Sequence, residues 1–156
     1  MISDIALIVT AVGVLGAVYS LRQNYRQRLR QFEAMFVQRY WALLDKFSLD
    51  MLRGKAAEPL SMDEERAIRA YFFLCEDEME MRAKEYIADS TYRIWRASIL
   101  EQVKQPKFEE VLTQLRKEDA FPYEYLNLLL KSKELYDPCK MLLWKRWLLG
   151  LTGDGV

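Results

Sequence analysis

The chain contains no histidine and only two cysteines, Cys75 and Cys139. Without histidine, the commonest general base and the commonest transition-metal ligand are missing. Ser-His-Asp and Cys-His catalytic arrangements cannot be assembled from this chain alone. Two cysteines so far apart do not make the disulfide framework of a small secreted domain, and they read as buried or half-buried free thiols. Phosphate-binding glycine loops are missing as well, since GKAAEP at residues 54–59 lacks the required spacing. The sequence shows no zinc-ligand pattern, strand-like alternation, internal repeat or low-complexity segment. Its formal net charge is zero, so no global field draws it to nucleic acid or anionic lipid.

What the chain does have is a long apolar run at its start. Ile5 to Val18 reads IALIVTAVGVLGAV, with Thr10 as its polar residue. Taken over residues 2–21 this is ~20 residues, or ~30 Å of helix, which matches the hydrocarbon thickness of a bilayer. Tyr19 and Tyr25 sit at the far end, where amphipathic rings favour the interface. A cleaved signal peptide would open on a positive segment, whereas this chain opens MISD, and its small residues Ala17 and Ser20 run straight into a basic helix. A buried core helix of a soluble protein is the other alternative, but a terminal stretch this apolar is unusual for one. The spanning reading predicts an orientation. Arg22, Arg26, Arg28 and Arg30 follow the run and no Lys or Arg precedes it. The N-terminus is therefore expected outside and residues 22–156 in the cytoplasm, at the cell inner membrane. These four arginines are the expected topogenic and lipid-contacting residues.

Small residues recur within the span at Ala6, Thr10, Gly13, Ala17 and Ser20, in steps of four, three, four and three. They share one face, and small faces let membrane helices approach closely, because packing drives association in lipid. The mean step favours a left-handed crossing. The competing reading is that Gly, Ala and Thr are simply common in such helices. Gly16 lies off this face.

The rest predicts an all-α fold: the spanning helix continues into a cytoplasmic bundle of about five to six helices. Tyr25, Leu29, Phe32, Phe36, Tyr40, Leu43 and Phe47 form one apolar stripe, so residues 22–54 read as a basic amphipathic juxtamembrane helix stopping at Gly54. Its step, nearer 3.7 than 3.5, suits packing on its own domain rather than a long coiled coil. Lys55 to Pro59 is the expected linker, residues 61–151 the remainder of the bundle, and 152–156 a tail. Ser61 with Glu64 makes a capping box for a helix with Ile68, Phe72, Cys75, Met79, Ala83 and Tyr86 inward. Asp89 or Ser90 is expected to cap the next, which carries Tyr92, Trp95, Ile99 and Val103. Pro106 suits the first turn of another, with Phe108, Val111, Leu112 and Leu115 inside. Pro122 opens a stretch through Tyr125, Leu128, Leu129 and Leu135. Pro138 opens the last, MLLWKRWLLGL. Short links predict antiparallel neighbours.

Two polar groups invite a functional reading. In the last helix Trp144 and Trp147 flank Lys145 and Arg146. It either closes the core with its charges snorkelling outward, or lies on the membrane surface with its rings at headgroup level. The segment CEDEMEMRAKE holds Glu76, Asp77 and Glu80, which could bind a metal or move protons. Di-metal bundles use Glu-x-x-His, however, which this chain cannot supply. Glu78 with Arg82 and Glu80 with Lys84 read as ordinary surface pairs.

The segments IALIVTAVGVLGAVYSLRQNYRQRLRQFEAMFVQRYW and FLCEDEME…YIADSTYRIWRASI resemble a loose group of small bacterial proteins. These have a spanning helix, an Arg/Gln-rich juxtamembrane helix and a helical domain. The resemblance implies an inner-membrane placement and supplies no functional residues. The expectation is a non-enzymatic protein without catalytic residues, cofactor or metal, which binds no nucleic acid and has no evident small-molecule substrate. It would meet membrane lipid and either itself or another membrane protein, as a homo-oligomer or accessory subunit. The alternatives are a tethered enzyme or effector using residues 76–80, and a lipid-responsive adaptor using residues 144–147.

Overall fold

A computed structural model describes residues 2–52, 59–118, 123–134 and 141–152. Among these the fold is all-α, as expected. The helices are α1 (Ile2–Leu44), α2 (Leu49–Leu52), α3 (Met62–Ala83), α4 (Asp89–Gln102), α5 (Pro106–Glu118), α6 (Glu124–Leu130) and α7 (Leu143–Leu148). The predicted Gly54, residues 55–58, Pro122, Leu135, Pro138, Cys139 and most of the tail lie outside the described residues.

The 43 residues of α1 form one unbroken helix, ~65 Å long. It contains no proline, so nothing interrupts its hydrogen-bond ladder. Its apolar start is 0% buried, and among the described residues it alone is long and apolar enough to cross a membrane. No described part of the chain packs over this apolar start. Beyond Leu21 the predicted stripe packs on the domain: Leu29 and Phe36 are buried, and Tyr25, Phe32 and Leu43 are half-buried.

The expected run of this helix to Gly54 is not observed. The amides of Lys46 and Phe47 bond the carbonyls of Leu43 and Leu44, both at 3.0 Å, tightening the last turn. This redirects Phe47 into the core, edge-on to Phe108 at 5.8 Å. Ser48 Oγ then accepts the Met51 N–H at 3.3 Å and starts α2.

Helix α3 is the hub, with its main contacts to α1, α5 and α6. The capping box forms as read: Ser61 Oγ accepts the Glu64 N–H and Glu64 Oε2 accepts the Ser61 N–H. Ile68, Phe72, Cys75 and Met79 are fully buried, as are Phe108, Val111, Leu112 and Leu115 on α5. Ala83 is half-buried and Tyr86 exposed, because the helix ends before the stripe does. At its end Glu85 takes φ +68°, and Glu85 and Tyr86 N–H groups bond Arg82 and Met81 carbonyls. This is a Schellman stop on a residue that is not glycine. Tyr86 turns back to stack on Phe32 of α1 at 4.8 Å.

The predicted caps of α4 are corrected. Its N-cap is Ala88, with no side-chain cap bond. The orphan amides are satisfied from elsewhere: Glu33 of α1 accepts the Ala88 N–H at 2.9 Å, and the Leu151 carbonyl accepts the Asp89 N–H at 2.9 Å.

Candidate functional site

The small-residue face is open along its whole length. Ala6, Thr10, Gly13, Ala17 and Ser20 are all exposed, and a Cβ added at Gly13 or Gly16 would meet nothing within 4 Å. Thr10 Oγ1 donates to the Ala6 carbonyl at 2.8 Å, so its hydroxyl is satisfied within the helix. Bulky Leu7, Ile8, Val12 and Leu15 are exposed beside it.

One turn past the apolar run, α7 is strapped across α1. Arg22 donates from Nε to the Trp147 carbonyl at 3.3 Å, and its guanidinium lies over the Trp147 ring, 4.6 Å from the centroid. Gly150 has φ +68°, and a Cβ there would come within 2.8 Å of Arg26 Cγ. Glycine is thus required twice, for the left-handed stop and for the close approach. Arg28 and Arg30 are exposed. Of the four predicted topogenic arginines, Arg22 and Arg26 therefore also form the seat of α7.

Both predicted placements of the α7 charges are corrected for Arg146. It turns inward and pairs with Asp89, whose other oxygen accepts from Arg82 at 2.6 Å. Arg82 is fully buried, donates to the Ile87 carbonyl at 2.7 Å and stacks over Tyr92 at 4.7 Å. Removing Asp89 would strand buried charge at a cost of about 3–5 kcal/mol. Core closure is not what α7 does, because none of its own residues is buried. Leu142, Leu143, Trp144 and Trp147 are exposed at 68%, 61%, 65% and 47%, and Lys145 faces outward too. Leu151, the last residue of the stretch expected as this helix, and Thr152 beyond it are buried.

The acidic cluster does not converge. Glu76 caps α6 from a distance, accepting the Tyr125 and Leu126 N–H groups at 3.0 and 2.8 Å. Burial pushes its carboxyl up while those bonds pull it down, and burial wins. Asp77 pairs with Arg39 of α1 at 3.0 Å. Glu80 pairs with Lys84 at 2.5 Å, as read from the sequence. Among the described residues no group of three or more acidic or cysteine side chains is placed to hold a metal.

Glu78 departs from its expected role. It is buried at 6% exposure, and Arg82, its expected partner, is taken by Asp89 and Ile87. Desolvation pushes the Glu78 carboxyl up to about 8. It lines a cavity between α1, α3 and α4. Sequence reasoning also missed Glu33, Asp89 and Gly150, whose roles depend on partners distant in the chain.

Comparison of the chain with protein families, curated proteins and solved structures finds no match.

Proposed function

We propose that the protein is a single-pass membrane protein of the cell inner membrane, its N-terminus outside and its helical domain cytoplasmic. It acts through protein contacts rather than chemistry, as a homo-oligomer or as an accessory subunit of a larger membrane assembly. The observation that carries this reading is the single helix α1: bare and apolar over its first half, packed on the domain over its second. The open face from Ala6 to Ser20 offers close helix–helix packing. Replacing Gly13 and Ala17 with Leu should disperse the complexes that the full-length chain forms in mild detergent or in nanodiscs, read as mass by light scattering. Unchanged mass removes this face from the proposal.

The placement of α7 favours a second role for the same domain. Its exposed Leu142, Leu143, Trp144 and Trp147 stand beside Arg22, where the span meets the aqueous side. A helix with such a face settles at the headgroup–acyl boundary, so α7 would fix the domain's tilt on the bilayer. Brominated lipids in nanodiscs should quench Trp144 fluorescence. Quenching no stronger than that of Trp41, far along α1, would defeat the idea.

A further inference from the structure

The cavity between α1, α3 and α4 holds about 230 Å³, below the ~300–1,000 Å³ of a drug-sized site. Its walls are aromatic: Tyr40 and Trp41 from α1, Tyr71 from α3 and Trp95 from α4, with Ser98 at one side and Glu78 among them. No hydrogen bond or ion pair reaches the Glu78 carboxyl from any described residue. Arg39 acts on it only through space, its guanidinium being committed to Asp77 at 3.0 Å.

A largely buried carboxyl is costly to ionise, and that of Glu78 is on the wall of this cavity. One carboxylate is too few for a metal, which wants several ligands. Aromatic residues around a single acidic group suit a compact cation instead, because ring quadrupoles and the carboxylate both attract positive charge. We propose that this cavity is a binding site for a small organic cation of the quaternary or alkyl ammonium class, with Glu78 as its counter-ion. Trp41 and Ile94, exposed at 60% and 66%, stand at its rim. The site opens about 30 Å along α1 beyond Leu21, which points to a solute in water rather than a lipid headgroup.

Binding is coupled to proton release. The groups facing Glu78 are Arg39 and Tyr40 on α1, and Tyr71, Cys75 and Asp77 on α3; α4 contributes Ile94, Trp95, Ser98 and Ile99, none charged. The phenols and the thiol are all pushed upward, so they stay neutral near neutral pH. Glu78, titrating near 8, is the group that changes. A bound cation favours its carboxylate and expels the proton. From the ionised fraction, affinity should rise roughly thirtyfold between about pH 6.5 and about pH 9.

The test uses the full-length chain in an uncharged maltoside detergent. Choline is titrated against its uncharged isostere, in which carbon replaces the quaternary nitrogen, with tryptophan fluorescence and calorimetry as readouts. Choline should bind about tenfold tighter than the isostere at high pH, and its affinity should follow the predicted pH course. Glu78→Gln should abolish the pH dependence and most of the preference, the rings keeping the remainder, and leave isostere binding unchanged. Equal binding of the two probes, a flat pH course, full affinity in the Gln variant, or no choline binding at all would each overturn the proposal. Should Glu78→Gln fail to fold, the isostere and pH arms on the native chain still decide.

Discussion

The two halves of α1 obey opposite rules on one continuous backbone. In the first half Leu7, Val9 and Leu15 stand 74%, 65% and 69% exposed, and polar atoms are kept inside the helix, as with Thr10. In the second half Leu29 and Phe36 are buried, with 4% and 2% exposure, and the exposed positions mix arginines and amides with Met35, Val37 and Trp41. Large apolar side chains are thus all turned outward in the first half, whereas in the second half some of them pack on the domain. What surrounds a helix, not its own propensity, decides which face is apolar.

That contrast can be broken most strongly at Phe36. Its ring meets Trp95 edge-on at 5.8 Å, and Phe36→Ala should cost about 3–5 kcal/mol of domain stability. Leu15→Ala, on the same helix, should leave the unfolding midpoint unmoved. Denaturant unfolding in mild detergent, followed by tryptophan fluorescence, compares the two. Equal losses would mean that the first half is buried after all.

A smaller effect, of opposite sign, is expected where α3 faces the second half. The Glu78 carboxyl titrates at about 8 when folded, against an ordinary 4.5. The folded state therefore keeps a proton that the unfolded chain gives up. For this group stability is greatest below about pH 4.5 and is lost as pH rises through 8. Glu78→Gln removes that penalty, and near pH 7 it should stabilise the domain by about 3 kcal/mol. The gain should vanish near pH 4.5. Thermal melts at both pH values measure it, and a pH-independent difference would place Glu78 in water.

Much of the architecture was legible because the apolar stripes of α1, α3 and α5 repeat in steps of three and four, and because Ser61, Glu64 and Pro106 mark helix starts without tertiary help. The end of α1 was not legible, since Phe47 continues the stripe's spacing while the backbone has already turned. Glu78 and Arg82 had a signal that was outweighed by their charge. Tyr71, Cys75, Glu78 and Arg82 follow one another in steps of four, three and four, the same rhythm as the buried residues around them. The role of α7 had none. A short helix with apolar residues on either side of two central charges fits a core and a surface equally by spacing, and only the fold reveals that none of its residues is buried. Asp89 itself reads locally as a cap, and its partners lie too far along the chain for spacing to reveal them.

The unbroken course of α1 carries one more implication, about azimuth. Residues advance ~100° each around a straight helix. The mean direction of the small face, Ala6 to Ser20, and that of the stripe, Tyr25 to Leu43, are then about 120° apart. A neighbouring span seated on the small face would not run into the domain. It would continue along the exposed line of Asn24, Gln31 and Gln38, the heptad successors of Thr10 and Ala17. A twist imposed on the apolar half would be carried toward the domain, because the helix between them is unbroken.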